Sequence, residues 1–329
     1  MNNSGSGRNP LRSPGGATVI FLCVALLVSV SIGHGAARTP GRLRILVPAT
    51  TSALPFLKLA QENAVPDADI QVKTFTNHAQ ALAVLLRGDA DLLLSGTSQG
   101  WENRLDGSPI VMVDTGVWGV ASLVGRDPRL TSFASLKGRK LSLPFSGSPL
   151  DFQTRALLSY AGLDPDRDVT ITYGPVAQSV ARLLSGQVDA AALPEPVATS
   201  VVGTSGLLRL IEYSKAWAAL NNGDARSPQV SLFCTEAFAA SNRPVLRDLV
   251  EAWRHASRDV SADPGAAARS FAGRLDLSPA VLEEAARRTI FQVPDFSDNE
   301  SRVLGYYRQV APFLPRERRT LDASFFLAP

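Results

Sequence analysis

The sequence predicts an α/β protein of two lobes, each a βαβ-based unit, joined by two crossing strands. Short apolar runs of strand length alternate with helix-length segments, the pattern of parallel sheets whose faces are covered. The order strand, helix, strand, helix, strand occurs twice, with repeated text at a near-constant offset. A long, β-rich apolar run lies between the two copies.

In the first copy, residues 43–47 form an apolar run followed by Pro48, a buried strand by pattern. Thr50, Thr51 and Ser52 come next, and Thr51 or Ser52 suits the N-cap of a helix over 53–63. Residues 70–75 alternate as a half-buried strand does. Asn77 caps a helix running to Leu86, and Gly88 stops it, since glycine accepts the positive φ that ends helices. Residues 91–94 form the third strand, which ends at Ser95, Gly96 and Thr97.

The second copy follows the same order. A strand over 140–143 ends at Pro144, and Ser146, Gly147 and Ser148 open a helix with Pro149 in its first turn. That helix runs to Tyr160 and stops at Gly162. A strand over 169–173, a helix over 175–184 stopped by Gly186, and a strand over 188–193 complete the unit, which ends at Pro194, Glu195 and Pro196. Leu85, Gly88 and Asp91 recur as Leu183, Gly186 and Asp189, 98 positions later, and Ser52 aligns with Ser148 at an offset of 96. This is an internal duplication.

Residues 110–124 form the apolar run between the copies and are expected to carry the chain from one lobe to the other. Residues 229–234 are the expected return crossing. After Thr235 the pattern is helical almost to the end, including 243–261 and 278–289, and these helices are expected to pack back on the first lobe. The expected division is residues 41–117 with 231–329 in lobe one, and 118–230 in lobe two.

A chain of 329 residues has room for two cores, and 45% hydrophobic with 19% charged residues is a folded composition. Residues 1–16 are polar, carry Arg8 and Arg12, and contain no acid. Residues 17–32 are almost wholly apolar but shorter than the roughly 20 residues of a membrane span. Gly35 and Ala37 then suit a signal peptidase. Residues 1–37 are therefore read as a cleaved signal peptide leading to the periplasm, with an uncleaved N-terminal anchor as the alternative. Cys23 lies inside the apolar run behind residues too large for a lipobox. The 33 basic residues, less Arg8 and Arg12, leave 31 against 30 acidic ones, so no basic surface for nucleic acid is implied. Cys234 is then a lone thiol with apolar flanks, a core residue rather than half of a disulfide.

No catalytic constellation stands out. His34 belongs to the targeting segment, and His78 and His255 have no neighbouring acid or second ligand in sequence. There is no phosphate loop and no cysteine pair, and no cofactor or metal is expected. The case for binding rests on strand ends. In open parallel sheets, ligands sit outside the carboxyl ends of strands, where helix N-termini present amide donors that favour anions. Those positions here are Thr51 and Ser52; Ser95, Gly96 and Thr97; Ser146, Gly147 and Ser148; and Glu195. Asp114 and Trp118 join them from the crossing strand. Each has an ordinary reading beside it. Ser, Thr and Gly cap helices, Trp118 and the nearby Trp101, Phe145 and Phe152 fill cores, Asp114 orders a hinge, and Glu195 caps. The recurrence of one arrangement in both halves favours binding.

The text Ser135-Leu136-Lys137-Gly138-Arg139-Lys140-Leu141, then Gly147-Ser148, then Leu157 to Asp164, then Leu184 to Ala190 and Glu195-Pro196, resembles substrate-binding proteins of ABC importers of the nitrate/sulfonate/taurine type. The likeness covers residues 41–235, and the C-terminal helices match only in kind. It implies a type II periplasmic-binding fold with a small organic anion or heterocycle in the interlobe cleft. The implied pocket comprises Ser52, Ser95 to Thr97 and Ser146 to Ser148. The implied partners are the small-molecule ligand and ABC permease subunits in the membrane, with the protein itself a monomer and no enzyme. The sequence departs from the family in having no compact arginine clamp at these positions, which argues against nitrate or a simple sulfonate. Two alternatives stand beside the transport receptor. One is an enzyme on the same fold, such as a lyase or dehydratase using Asp114 or Glu195. The other is a sensory ligand-binding partner of a membrane kinase.

Overall fold

Strand β1 (Arg42–Pro48) pairs in parallel with β2 (Asp69–Phe75) on one side and β3 (Leu92–Gly96) on the other. Helices α1 (Leu54–Gln61) and α2 (His78–Leu86) make the connections. A second sheet repeats the unit: β6 (Lys140–Leu143) lies between β7 (Thr170–Tyr173) and β8 (Ala190–Pro194), connected by α4 (Pro149–Tyr160) and α5 (Val176–Leu184). The computed structural model describes residues 41–314 and 323–327. The targeting segment expected at 1–37 lies outside them.

The duplicated text has a structural cause. Gly88 and Gly186 adopt φ of +74° and +73°, ending α2 and α5 in the left-handed region that glycine tolerates. The duplicated aspartates then staple the third strand of each unit to the first. Asp91 Oδ2 accepts the Arg44 amide at 2.8 Å, and Asp189 Oδ2 accepts the Lys140 amide at 2.7 Å. In the first unit, the Arg44 guanidinium closes a fork on the same carboxylate, with Nη2 to Oδ1 at 2.7 Å. In the second, Arg139 reaches Asp189 Oδ1 only at 3.4 Å.

The apolar run at 110–124 is two strands in two sheets. β4 (Ile110–Gly119) belongs to the first sheet and β5 (Ala121–Gly125) to the second, with Val120 alone between them. The return passes through β9 (Leu208–Glu212), α7 (Tyr213–Leu220), residues 221–229 and β10 (Val230–Thr235). β10 runs antiparallel between β3 and β4, while β5 runs antiparallel between β8 and β9. With β11 (Ile290–Phe291) on the edge, the sheet orders are β11-β4-β10-β3-β1-β2 and β7-β6-β8-β5-β9. Helices α3 (Thr97–Leu105) and α6 (Val197–Ser205), together with β9 and α7, have no counterpart in the sequence reading.

One face of the first sheet is covered by α1, α9 (Arg243–Ala262) and α10 (Pro264–Phe271). In α9, Leu246, Leu249, Val250, Trp253, Ala256 and Val260 fall at helical spacing on one buried stripe. Burying each large side chain of this kind contributes about 1.5–3 kcal/mol. Helix α11 (Pro279–Arg287) packs against both α9 and α6. Helix α12 (Phe296–Val310) lies against α4, and its Val303, Tyr306 and Val310 share a buried cluster with Leu123 and Leu141 of the second sheet and Met112 and Phe233 of the first. Trp101, Trp118 and Phe152 are buried in that same cluster, whereas Phe145 is 41% exposed. Cys234 is buried in β10, and burial pushes its thiol up to about 12, so it stays protonated.

Candidate ligand-binding cleft

The loop after β6 comes face to face with α3 across the gap between the sheets. The Ser98 hydroxyl donates to the Gly147 carbonyl at 3.2 Å. Beside this contact lies a cleft of about 330 Å³ whose walls include Ser95 of the first sheet, His78 and Gln99 of its helices, and Phe145, Ser146 and Gly147 from the loop after β6 in the second sheet. A second space of about 630 Å³ shares Glu102, Ser146 and Gly147 with it and continues past Asp151, Arg155, Asp164 and Asp166.

On the first side, a hydrogen-bond chain fixes the polar surface. The Gly96 amide donates to Gln99 Oε1 at 3.2 Å, and the Ser95 hydroxyl donates to the same atom at 3.2 Å. His78 Nδ1 meets Ser95 Oγ at 2.9 Å. Burial lowers the His78 pKa below its ordinary 6.5, so the ring is neutral at pH 7. With the Ser95 proton committed to Gln99, the network assigns the ring proton to Nδ1 and leaves Nε2 as an acceptor. The Phe75 ring meets the imidazole edge-on at 5.1 Å between centroids.

On the second side, Gly147 sits at φ +79°, and its amide donates to Asp151 Oδ2 at 2.9 Å. The Asp151 amide donates in turn to Ser148 Oγ at 3.1 Å, the N-cap of α4. Asp151 is buried, and its Oδ1 accepts from Arg155 Nε at 3.0 Å and from the Tyr173 hydroxyl at 2.9 Å. Arg155 also donates to Asp166 Oδ1 at 2.8 Å and to the Tyr173 hydroxyl oxygen at 2.9 Å.

Of the residues the sequence marked, Ser95, Ser146 and Gly147 line the cleft together, with Gly96 and Ser148 in the hydrogen bonds just behind it. The rest occupy buried bonds away from these walls. Thr51 Oγ1 meets Thr289 Oγ1 at 3.0 Å, and Ser52 Oγ meets Thr50 Oγ1 at 2.8 Å. Thr97 and Thr115 each meet the Ser231 hydroxyl at 2.8 Å, linking β10 to the start of α3 and to β4. Asp114 is fully buried. Its Oδ1 accepts the Thr115 amide at 2.7 Å, Oδ2 has no partner among the described residues, and burial holds its carboxyl well above the usual range. Trp118 Nε1 donates to the Gln292 carbonyl at 2.8 Å. Glu195 Oε2 accepts the Thr199 amide at 3.0 Å, and its Oε1 accepts from Arg209 at 2.7 Å.

Sequence reasoning set His78 aside and did not single out Gln99 or Asp151. The available signals were local. His78 directly follows the Asn77 cap at a strand end, and Gln99 and Asp151 each stand three residues beyond a helix N-cap, where a side chain reaches back to free amides. Among the described residues, no group of three or more His, Cys, Asp or Glu is placed to hold a metal. None of the described helices is long and apolar enough to cross a membrane.

The NMT1-like family model matches residues 103–275, more than half of the chain. The chain belongs to the NMT1-like family. No curated protein matches it. Among solved structures, this NMT1-like protein is similar to an ABC transporter of Parabacteroides distasonis, with 19% identity and a TM-score of 0.72 over 87% of this chain and 98% of that one. It is also similar to the periplasmic aliphatic sulphonate binding protein SsuA of Escherichia coli, with 20% identity and a TM-score of 0.67 over 84% and 92% of the two chains. The periplasmic nitrate-binding protein NrtA of Synechocystis PCC 6803 aligns with 15% identity and a TM-score of 0.66 over 86% and 85%. At these identities the likeness is one of fold. The periplasmic-binding architecture expected from the sequence resemblance is the architecture observed in this NMT1-like chain.

Proposed function

We propose that this NMT1-like protein is the exported, non-catalytic binding component of an ABC importer. In this reading residues 41–117 with 231–329 form one lobe and 118–230 the other, and a small solute is held where the Ser98 side meets the Gly147 loop. The observation that carries it is the apposition of two strand-end regions, one from each unit, across one cleft, with Ser95 at the end of β3 on one wall and Ser146 and Gly147 after β6 on the other. Two such half-sites on separate sheets suit closure by rotation about the crossings. The membrane partner is a permease pair that receives the closed form, and the binding protein acts as a monomer in the periplasm. The sulphonate- and nitrate-binding proteins of the same fold support this assignment.

Native mass spectrometry of freshly purified protein tests the reading, followed by small-angle scattering on adding the released molecule back. The expected result is a small-molecule adduct lost on unfolding, and a smaller radius of gyration on rebinding. Absence of any adduct, together with no change in radius or melting temperature across sulfonates, nitrate, amines and heterocycles, overturns it.

A further inference from the structure

Helix N-termini at strand ends attract anions because their first amides lack partners and the helix dipole is positive there. In this protein one such amide, at or just before each of four helix starts, is already taken by a side chain of the chain itself. At α2, Asn77 Oδ1 accepts the Gln80 amide at 3.0 Å, and at α3, Gln99 Oε1 accepts the Gly96 amide at 3.2 Å. On the second sheet the acceptors are carboxylates: Asp151 takes the Gly147 amide at the start of α4, and Glu195 takes the Thr199 amide at the start of α6. The second lobe thus carries an internal anion at each of these helix starts.

Among the described residues lining the cleft, nothing restores the positive charge. No Lys or Arg is among the described residues lining the 330 Å³ space. In the adjoining 630 Å³ space, Arg155 is the basic residue among the described lining residues, against Glu102, Asp151, Asp164 and Asp166. Its guanidinium already donates to Asp151, Asp166 and Tyr173. The first wall offers the lone pair of His78 Nε2, and the exposed ring of Phe145 offers an aromatic face. An oxyanion entering here meets acceptors and negative charge. A group bearing N–H donors meets partners, and a cation gains from the carboxylates and from the ring.

We propose that this cleft takes an uncharged or cationic, N–H-bearing solute and excludes oxyanions of the sulfonate and nitrate type. The inference rests on the cleft being the binding site proposed above.

The test compares probes of one shape and three charges, benzamidinium, benzamide and benzoate, with methanesulfonate and nitrate alongside, by ligand-observed NMR and melting temperature on the mature protein. Benzamidinium or benzamide is expected to bind at least about tenfold more tightly than benzoate, and methanesulfonate and nitrate to give no signal. Benzoate, methanesulfonate or nitrate binding as well as the other probes overturns the charge preference and leaves the binding cleft standing. Binding by none of the probes overturns the cleft assignment and the preference with it.

Two variants sharpen the result. Asp151→Asn removes the internal negative charge at the start of α4 and is expected to gain methanesulfonate binding that the parent lacks. Glu102→Gln on the shared wall is expected to weaken benzamidinium at least about threefold while leaving benzamide unchanged. It serves whether or not the Asp151 variant folds. Equal effects of Glu102→Gln on both probes overturn the proposal.

Discussion

The Ser98 hydroxyl donates to the carbonyl of Gly147 at 3.2 Å, a direct bond between helix α3 on the first sheet and the loop that ends β6 in the second. A neutral hydrogen bond of this kind contributes about 1 kcal/mol. That is little against a whole fold but enough to bias two nearly balanced arrangements of the lobes. Ser98→Ala is therefore expected to enlarge the ligand-free radius of gyration in solution scattering while changing unfolding free energy by no more than about 1 kcal/mol. An unchanged radius means the bond does not hold the lobes together.

The two aspartate staples differ in strength, and their variants should differ accordingly. Asp91 is nearly buried and accepts the Arg44 guanidinium fork as well as the Arg44 amide. Asp189 accepts the Lys140 amide but meets Arg139 only at 3.4 Å, with the side chain 34% exposed. Asp91→Asn is expected to cost about 3 kcal/mol in denaturant unfolding, in the range for breaking a buried ion pair, and Asp189→Asn about 1 kcal/mol. Equal losses contradict the difference in geometry.

Asp114 carries a pH signature. Its folded pKa is raised above the ordinary 3.8 by burial. The folded chain therefore keeps a proton that the unfolded chain has lost, and stability falls as pH rises from 3.8 toward the folded value. Asp114→Asn keeps an oxygen for the Thr115 amide and removes the titration. It is expected to match the parent near pH 4 and to exceed it in melting temperature near pH 7. A variant less stable than the parent at both pH values shows that the carboxylate has a favourable partner at neutral pH.

Histidine 78 acts with the opposite sign. Burial lowers its pKa below 6.5, so its contribution is complete above that pH and is lost as pH falls toward the folded value. His78→Gln is expected to flatten the fall in melting temperature between pH 6.5 and pH 5. A slope identical to the parent's removes His78 as its source.

Much of the architecture was legible because the duplication writes the same physics twice. Gly88 and Gly186, and Asp91 and Asp189, recur since a left-handed stop and a strand staple are needed at the same point of each unit. The run at 110–124 was legible as a crossing, but its division at Val120 was not, because both halves are equally apolar and only sheet pairing separates them. At the cleft, Ser95, Ser146 and Gly147 followed from the rule of strand ends. The expectation of bare amides did not survive. Asp151 turns back to accept the Gly147 amide and Glu195 reaches forward to accept that of Thr199, contacts that appear once the loop geometry is known. His78 lay hidden because its partner Ser95 is on the next strand, brought near by the parallel pairing of the strands.

The two crossings have unequal slack. Between β4 and β5 stands one residue, Val120, whose carbonyl is further anchored by the Glu195 amide at 2.7 Å. Between α7 and β10 run residues 221–229; the Ser227 and Gln229 amides donate to the Trp118 and Val117 carbonyls at 2.7 and 2.9 Å, which leaves residues 221–226, a stretch that can extend to about 20 Å. Under load the first tether is already taut while the second pays out rope. In the proposed closure, tension between the halves falls on Val120, and a single bulky or rigid replacement there is expected to jam the movement.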